Sequence, residues 1–172
     1  MMSMETTMFR DVSTEFLEMT RLISLYRQVS RSLVLTKQMI ANFGDKHMFY
    51  PVLQELKKQK DRVARRIIKL AKQTHPEYKK LTKVLGIDKR RSLYGKTALA
   101  TLLAYVDFSN GLRKILCYVG NYYPHNGKYN PTLKKAAESL TMSVLQKRRC
   151  PTGKEIRQVL KTIRTTLAGG QA

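Results

Sequence analysis

Gly95-Lys96-Thr97 carries the residue types that close a phosphate loop. Such a loop needs another glycine five residues earlier, so that bare backbone can curl around a phosphate, and Arg90 stands there. No strand pattern precedes the segment, so it reads as the start of a helix that carries a basic residue. The acids that could do catalytic work, Asp88, Asp107, Glu138 and Glu155, are dispersed, and no two are spaced for a two-metal nuclease centre. No Ser–His–Asp order stands out. Cys117 and Cys150 are lone cysteines without Cys-x-x-Cys spacing, and His47, His75 and His125 are scattered. The expectation is reduced thiols, no structural zinc and no cofactor held by this chain.

What remains is cationic chemistry. The candidate contacts are Lys89, Arg90, Arg91 and Lys96 around the Gly86 turn, Arg113 and Lys114, then Lys128, Lys134 and Lys135. Lys147, Arg148 and Arg149 follow a helix end, and Arg157, Lys161 and Arg164 share one face of the last helix. A single cationic stripe is usually a solvated face, but here it recurs on several helices without matching acids. Tyr118, Tyr122, Tyr123 and Tyr129 bracket Lys128; aromatics among cations can stack on bases, although partly buried loop tyrosines are the commoner case.

The charge is unevenly spread. Residues 1–50 hold six Lys/Arg against five Asp/Glu, whereas residues 51–172 hold 27 against seven, out of a formal net charge of +21. A folded body with that excess repels itself unless a polyanion neutralises it, and nucleic acid is the usual polyanion. A hydrophobic content of 42% over 172 residues is too high for a disordered basic tail and suits one or two compact units. No run of 18 apolar residues points to a membrane span, the start lacks signal-peptide layout, and no membrane partner is expected.

The elements that must carry these cations are helical. Phe16, Met19, Ile23, Tyr26, Leu33 and Ile40 recur at helical steps, predicting a helix over 14–43 that Gly44 stops. A second helix is expected from Pro51 to the His75-Pro76 pair. Its residues Leu53, Leu56, Lys60, Val63, Ile67 and Leu70 follow coiled-coil spacing, with Lys60 as a polar intruder. Shorter helices are expected over 77–85, 95–106, 110–119, 131–147 and 153–167, with a capping box at Thr152 and Glu155. Ile115 to Val119 is the one short strand candidate, and the tail 168–172 reads as disordered. The fold expected is all-α: a long helical hairpin or coiled coil over 1–76, a compact helical DNA-binding region over 77–150, and a basic helix with its tail over 151–172. Gly86 would make a turn like that of a helix-hairpin-helix, whose exposed backbone N–H groups hold a DNA phosphate. Asp88 replaces the usual second glycine, with Lys89, Arg90 and Arg91 to compensate.

The order of features resembles a known family. Phe9-Arg10-Asp11-Val12-Ser13 opens a helix with Leu22, Arg27 and Lys37, and a basic helix ends in Thr74-His75-Pro76-Glu77. Val84-Leu85-Gly86-Ile87, Thr97-Ala98, Leu102-Leu103-Ala104, Asp107-Phe108 and Tyr118-Val119-Gly120 with Pro124 complete the series. Over about residues 9–145 this is similar to the C-terminal two-thirds of bridge-RNA-guided insertion-sequence transposases, relatives of the Piv pilin-gene invertase. The resemblance implies DNA as partner, a guide RNA as a further one, and a role in transposition. It also implies a RuvC-like nuclease domain whose four acids bind metal, and nothing in this chain matches that domain. The family's catalytic serine, before a glycine after the Tyr-x-Gly-x-x-Pro element, falls on Asn126-Gly127. An amide cannot act as that nucleophile, and Ser139 and Ser143 lie out of pattern, so no catalytic residue is assigned. The chain is therefore read as a nucleic-acid-binding portion, incomplete on its own and self-associating through the hairpin. The alternative is a non-catalytic nucleoid or ribonucleoprotein component. Either reading places it in the cytoplasm, with the nucleoid.

Overall fold

A computed structural model of the chain describes residues 13–44, 46–121 and 129–169. These form seven α-helices and no strand: α1 Thr14–Phe43, α2 Lys46–Thr74, α3 Tyr78–Val84, α4 Tyr94–Tyr105, α5 Leu112–Tyr118, α6 Pro131–Leu145 and α7 Gly153–Ala168. The run Ile115 to Val119 lies in and just after α5, so the one strand candidate is helical. Its neighbours explain why: Ile115 and Leu116 turn one helical face into the core, which alternation in a strand would not do.

α1 and α2 form an antiparallel hairpin, with Glu18 opposite Arg66 and Tyr26 opposite Lys60. The Ser13 hydroxyl accepts from the Phe16 amide at the start of α1, and Gly44 ends it in the left-handed region at φ 69°. The buried line of α1 is Met19, Leu22, Ile23, Val29, Leu33 and Thr36. Phe16 falls off that line and instead meets the Tyr105 ring edge-on at 6.3 Å. α2 begins at Lys46, five residues before Pro51, and encloses the proline. Proline removes one hydrogen bond, the one to the His47 carbonyl, and water can serve that carbonyl because His47 is exposed at the hairpin end.

The half of the hairpin away from Gly44 enters the main core. Met19, Leu22 and Ile23 of α1 and Ile67, Ile68, Leu70 and Ala71 of α2 join one apolar cluster with Leu99, Leu102, Leu133, Leu140, Leu160 and Ile163 of the shorter helices. Burial of that many aliphatic side chains, at about 25 cal/mol per Å² of apolar area, is the main stabilising term. α4 lies at its centre, against α6 on one side and α2 on another. The α4–α6 contact is tight because Gly95 faces Ser143: a Cβ at Gly95 would lie 2.6 Å from the Ser143 Cβ. Gly95 thus serves helix packing, which is the role left to it once a phosphate loop is set aside. α7 starts with the capping box anticipated, the Thr152 hydroxyl accepting from the Glu155 amide and the Glu155 carboxylate accepting from the Thr152 amide at 2.8 Å.

Candidate nucleic-acid interface

The turn between α3 and α4 has the left-handed Gly86 expected, at φ 65°. Its backbone amides, however, are already committed. Gly86 N–H donates to the Lys83 carbonyl, Ile87 and Asp88 N–H both donate to the Thr82 carbonyl, and Arg90 N–H donates to the Ile87 carbonyl. An amide bonded within the fold cannot also grip a phosphate without losing that bond. The expectation that backbone N–H groups at Gly86 hold a phosphate is therefore corrected for these four amides. A buried Ile87 pulls the turn onto the core, and closing it over the end of α3 uses up the donors.

The side chains of the turn divide into two sets. Arg90 bends back: its Nε donates to the Gly86 carbonyl at 3.0 Å and its Nη2 to the Val144 carbonyl of α6 at 3.2 Å. Lys96 donates through Nζ to the Arg90 carbonyl at 2.7 Å. These two cations tie the turn to α4 and α6. Lys89 and Arg91 are exposed. Arg91 lines a cleft of about 200 Å³ with Lys60, Asp61 and Arg65 of α2 and with Tyr26 and Tyr94. The Lys60 ammonium sits 4.5 Å from the Tyr94 ring centroid and 5.2 Å from that of Tyr26. The polar intruder in the coiled-coil pattern is thus held between two ring faces, where a cation is attracted to the ring quadrupole.

The remaining candidates separate in the same way. In the Lys147-Arg148-Arg149 run, the α6 helix ends at Gln146 in the left-handed region, which turns Lys147 inward onto the Glu155 carboxylate while Arg148 and Arg149 stay exposed. That contact holds the Glu155 carboxyl down at about 2, first through the Lys147 hydrogen bond and then through the Thr152 amide. On α7, Arg157 and Lys161 are exposed, and Lys154 extends the same ridge one step N-terminal. Arg164 instead donates through Nε to the Asn110 carbonyl at 2.9 Å, and Lys114 donates to the Asn110 side chain at 2.9 Å, so the two meet at the entry to α5. Arg113 and Lys135 are exposed on α5 and α6. Lys134 is half-buried, its ammonium 5.3 Å from the Tyr129 ring centroid. Lys128 lies outside the described residues, as do Tyr122, Tyr123, Pro124 and Asn126.

α2 contributes cations that are not among the sequence candidates. Arg65, Arg66 and Lys69 line one surface cleft together with Glu18 and Gln73, and Arg65 reaches the Arg91 cleft as well. The signal available was the unmatched Arg/Lys excess of α2; what linked it to the turn, the packing of α2 on α4, is tertiary.

Catalytic arrangements are sparse. Asp107 accepts from the Ser109 hydroxyl at 2.6 Å and from its amide at 3.0 Å, a turn that leads into α5 and lowers the carboxyl's pKa. Ser139 and Ser143 line a cleft with Arg90, Gln146 and Lys147. Its amine, Lys147, is held by Glu155, so no described residue lining the cleft is poised to take either serine's proton. Among the described residues no group of three or more His, Cys, Asp or Glu could hold a metal ion, and no helix is long and apolar enough to cross a membrane.

No family model, no curated protein and no solved structure matches the chain.

Proposed function

We propose that the chain binds nucleic acid through side-chain contacts to phosphate, as the DNA- and RNA-handling portion of a transposase assembly. The observation that carries the reading is the balance of +20 over residues 51–172, with Lys89, Arg91, Arg148, Arg149, Arg157 and Lys161 exposed to meet a polyanion. The ordered resemblance to bridge-RNA-guided transposases supports the step from binding to transposition. A helical hairpin with exposed apolar residues near its tip, Leu35, Phe43, Met48 and Val52 among them, supports self-association with a second copy. Metal chemistry would belong to a nuclease domain supplied by another segment or chain. A second reading, a nucleoid or ribonucleoprotein component without recombination activity, is favoured by Asn126 at the position where the family carries its nucleophile.

The test is affinity for duplex DNA and for structured RNA as a function of salt. Binding driven by phosphate contacts falls linearly on logarithmic axes, and K89A and R91A each lower the slope by about one at an unchanged melting temperature. R90A and K96A also lower the melting temperature, because their side chains hold the turn. Affinity that stays flat from low to physiological salt overturns the reading. Supplying a four-acid nuclease domain in trans, and finding no strand exchange on any end sequence, would favour the non-recombining alternative.

A further inference from the structure

The cleft of about 650 Å³ between α1, the ends of α4 and α5, and the start of α6 plays no part in the phosphate contacts above. Its size falls within the roughly 300–1,000 Å³ typical of small-ligand sites. Three tyrosines from three segments line it: Tyr105 at the end of α4, Tyr118 at the end of α5, and Tyr129 ahead of α6. Arg27 of α1 lines it too, and none of the described lining residues is acidic.

The rings are held by the fold. Gly120, in the left-handed region at φ 73°, leaves room for the Tyr129 ring, since a Cβ there would meet that ring at 2.7 Å. The Asn130 amide donates to the Tyr118 carbonyl at 3.1 Å, which fixes the spacing between the Tyr118 and Tyr129 segments. Phe16 buttresses Tyr105 edge-on. Tyr118 nonetheless keeps 43% of its surface exposed, a large amount for a ring beside a cleft. Burial raises the pKa of the Tyr105 hydroxyl, with Tyr118 adding to the rise and Arg27 opposing it, so all three groups share one local environment. The Lys134 ammonium, 5.3 Å from the Tyr129 ring centroid, is a second cation next to one of the lining rings.

We propose that this cleft is a nucleobase-stacking subsite, in which the exposed Tyr118 ring takes an unstacked base of a single strand, Tyr105 and Tyr129 wall the cleft, and Arg27 and Lys134 hold the flanking phosphates. The chemistry is that of single-strand readers: aromatic faces accept any base, and nearby cations track the backbone. A duplex keeps its bases stacked and offers none to the cleft. A phosphate chain without bases fills only the cationic rim. The subsite rests on the nucleic-acid reading and narrows it to single-stranded segments, such as a loop or a displaced strand.

The experiment measures binding of oligothymidylate, of duplex DNA and of inorganic polyphosphate to the full chain and to Y118A and Y118F. Stacking of one base predicts a roughly 5- to 100-fold loss of oligothymidylate affinity in Y118A. Y118F keeps wild-type affinity, and the duplex and polyphosphate affinities of both variants stay within about twofold. Equal losses for all three ligands, or no loss for any, overturn the subsite while leaving phosphate binding intact. A wild-type chain that binds none of the three overturns the subsite and the nucleic-acid reading together. Should Y118A melt below wild type, R27Q serves as the second variant, because Arg27 is exposed on α1. It must then weaken oligothymidylate more than duplex, and equal weakening counts against the subsite.

Discussion

Replacing Gly95 by alanine tests whether the α4–α6 contact fixes the geometry of the cationic turn. The added Cβ would sit 2.6 Å from the Ser143 Cβ and 2.8 Å from its Oγ. Carbon atoms pack best at about 3.5–4.0 Å, so the two helices must part by roughly 1 Å at this point. Rotating the serine can swing Oγ away but not Cβ, which the helix backbone fixes in place. Parting the helices loosens contacts of Leu99, Leu102, Leu133 and Leu140, all fully buried. Overpacking of this kind costs about 1–3 kcal/mol. The gain from placing alanine in a helix reaches at most about 1 kcal/mol, and Gly95 is only the second residue of α4, where that gain is smaller. The net expectation is a loss of about 1–2 kcal/mol, which for a chain of this size lowers the melting temperature by roughly 2–8 °C. Circular dichroism melts of G95A, S143G and the double variant measure it. The double variant restores the space and should recover more stability than the two single changes predict by addition. A melting temperature of G95A at or above wild type, or strict additivity in the cycle, would refute the assignment of Gly95 to packing.

Four further outcomes follow from the structure. Tyr26 and Tyr78 have their hydroxyl pKa values raised by burial, above the ordinary value of 10.0, and Tyr78 also donates to the Lys96 carbonyl at 2.8 Å. Their neutral forms are the ones the fold favours, so this contribution is complete below pH 10 and lost above it. Near-ultraviolet absorbance should show these two tyrosines ionising only as helicity disappears, and ionisation with helicity intact would contradict it. Glu155 behaves in the opposite sense: its carboxyl lies at about 2 against an ordinary 4.5. The fold therefore keeps its contribution above pH 4.5 and loses it as pH falls toward 2, a dependence that E155Q should reduce in acid unfolding curves. Removing the other half of the capping box with T152A should cost about 1 kcal/mol at neutral pH by denaturant titration. At the hairpin tip, F43E should lower the self-associated fraction in sedimentation velocity, since Phe43 is 73% exposed; an unchanged distribution would place the contact elsewhere.

The helices were legible because their signals are local. The span Thr14–Phe43 matches its predicted ends, since a serine cap and a glycine stop lie within one turn of each end. The capping box at Thr152 was likewise readable from two residues three apart. Pro51 misled because a proline at an exposed helix end costs only the bond that water can replace, so the helix starts earlier than the proline allows one to infer. The candidate interface was legible as a composition but not as a geometry. Lys and Arg look alike in sequence whether they point outward or tie down a carbonyl. Arg90 and Arg91 are adjacent, yet one binds the Gly86 and Val144 carbonyls and the other faces the α2 cleft.

The inward cations, Arg90, Lys96, Lys147 and Arg164, each meet a carbonyl or carboxylate contributed by a turn or by another helix. A cation in such a place gives up hydration for a fixed acceptor, and the turn it anchors then has one conformation. The outward cations on the same turns, Lys89, Arg91, Arg148 and Arg149, are thereby presented from a rigid base. A polyanion meeting them orders side chains but little backbone, and the entropy cost of binding is correspondingly lower. Replacing an inward cation should therefore weaken polyanion binding as well as stability, through the loss of that rigidity. Replacing an outward one should weaken binding alone. A variant of Arg90 that melted early yet bound with full affinity and an unchanged salt slope would show that the outward cations need no such base.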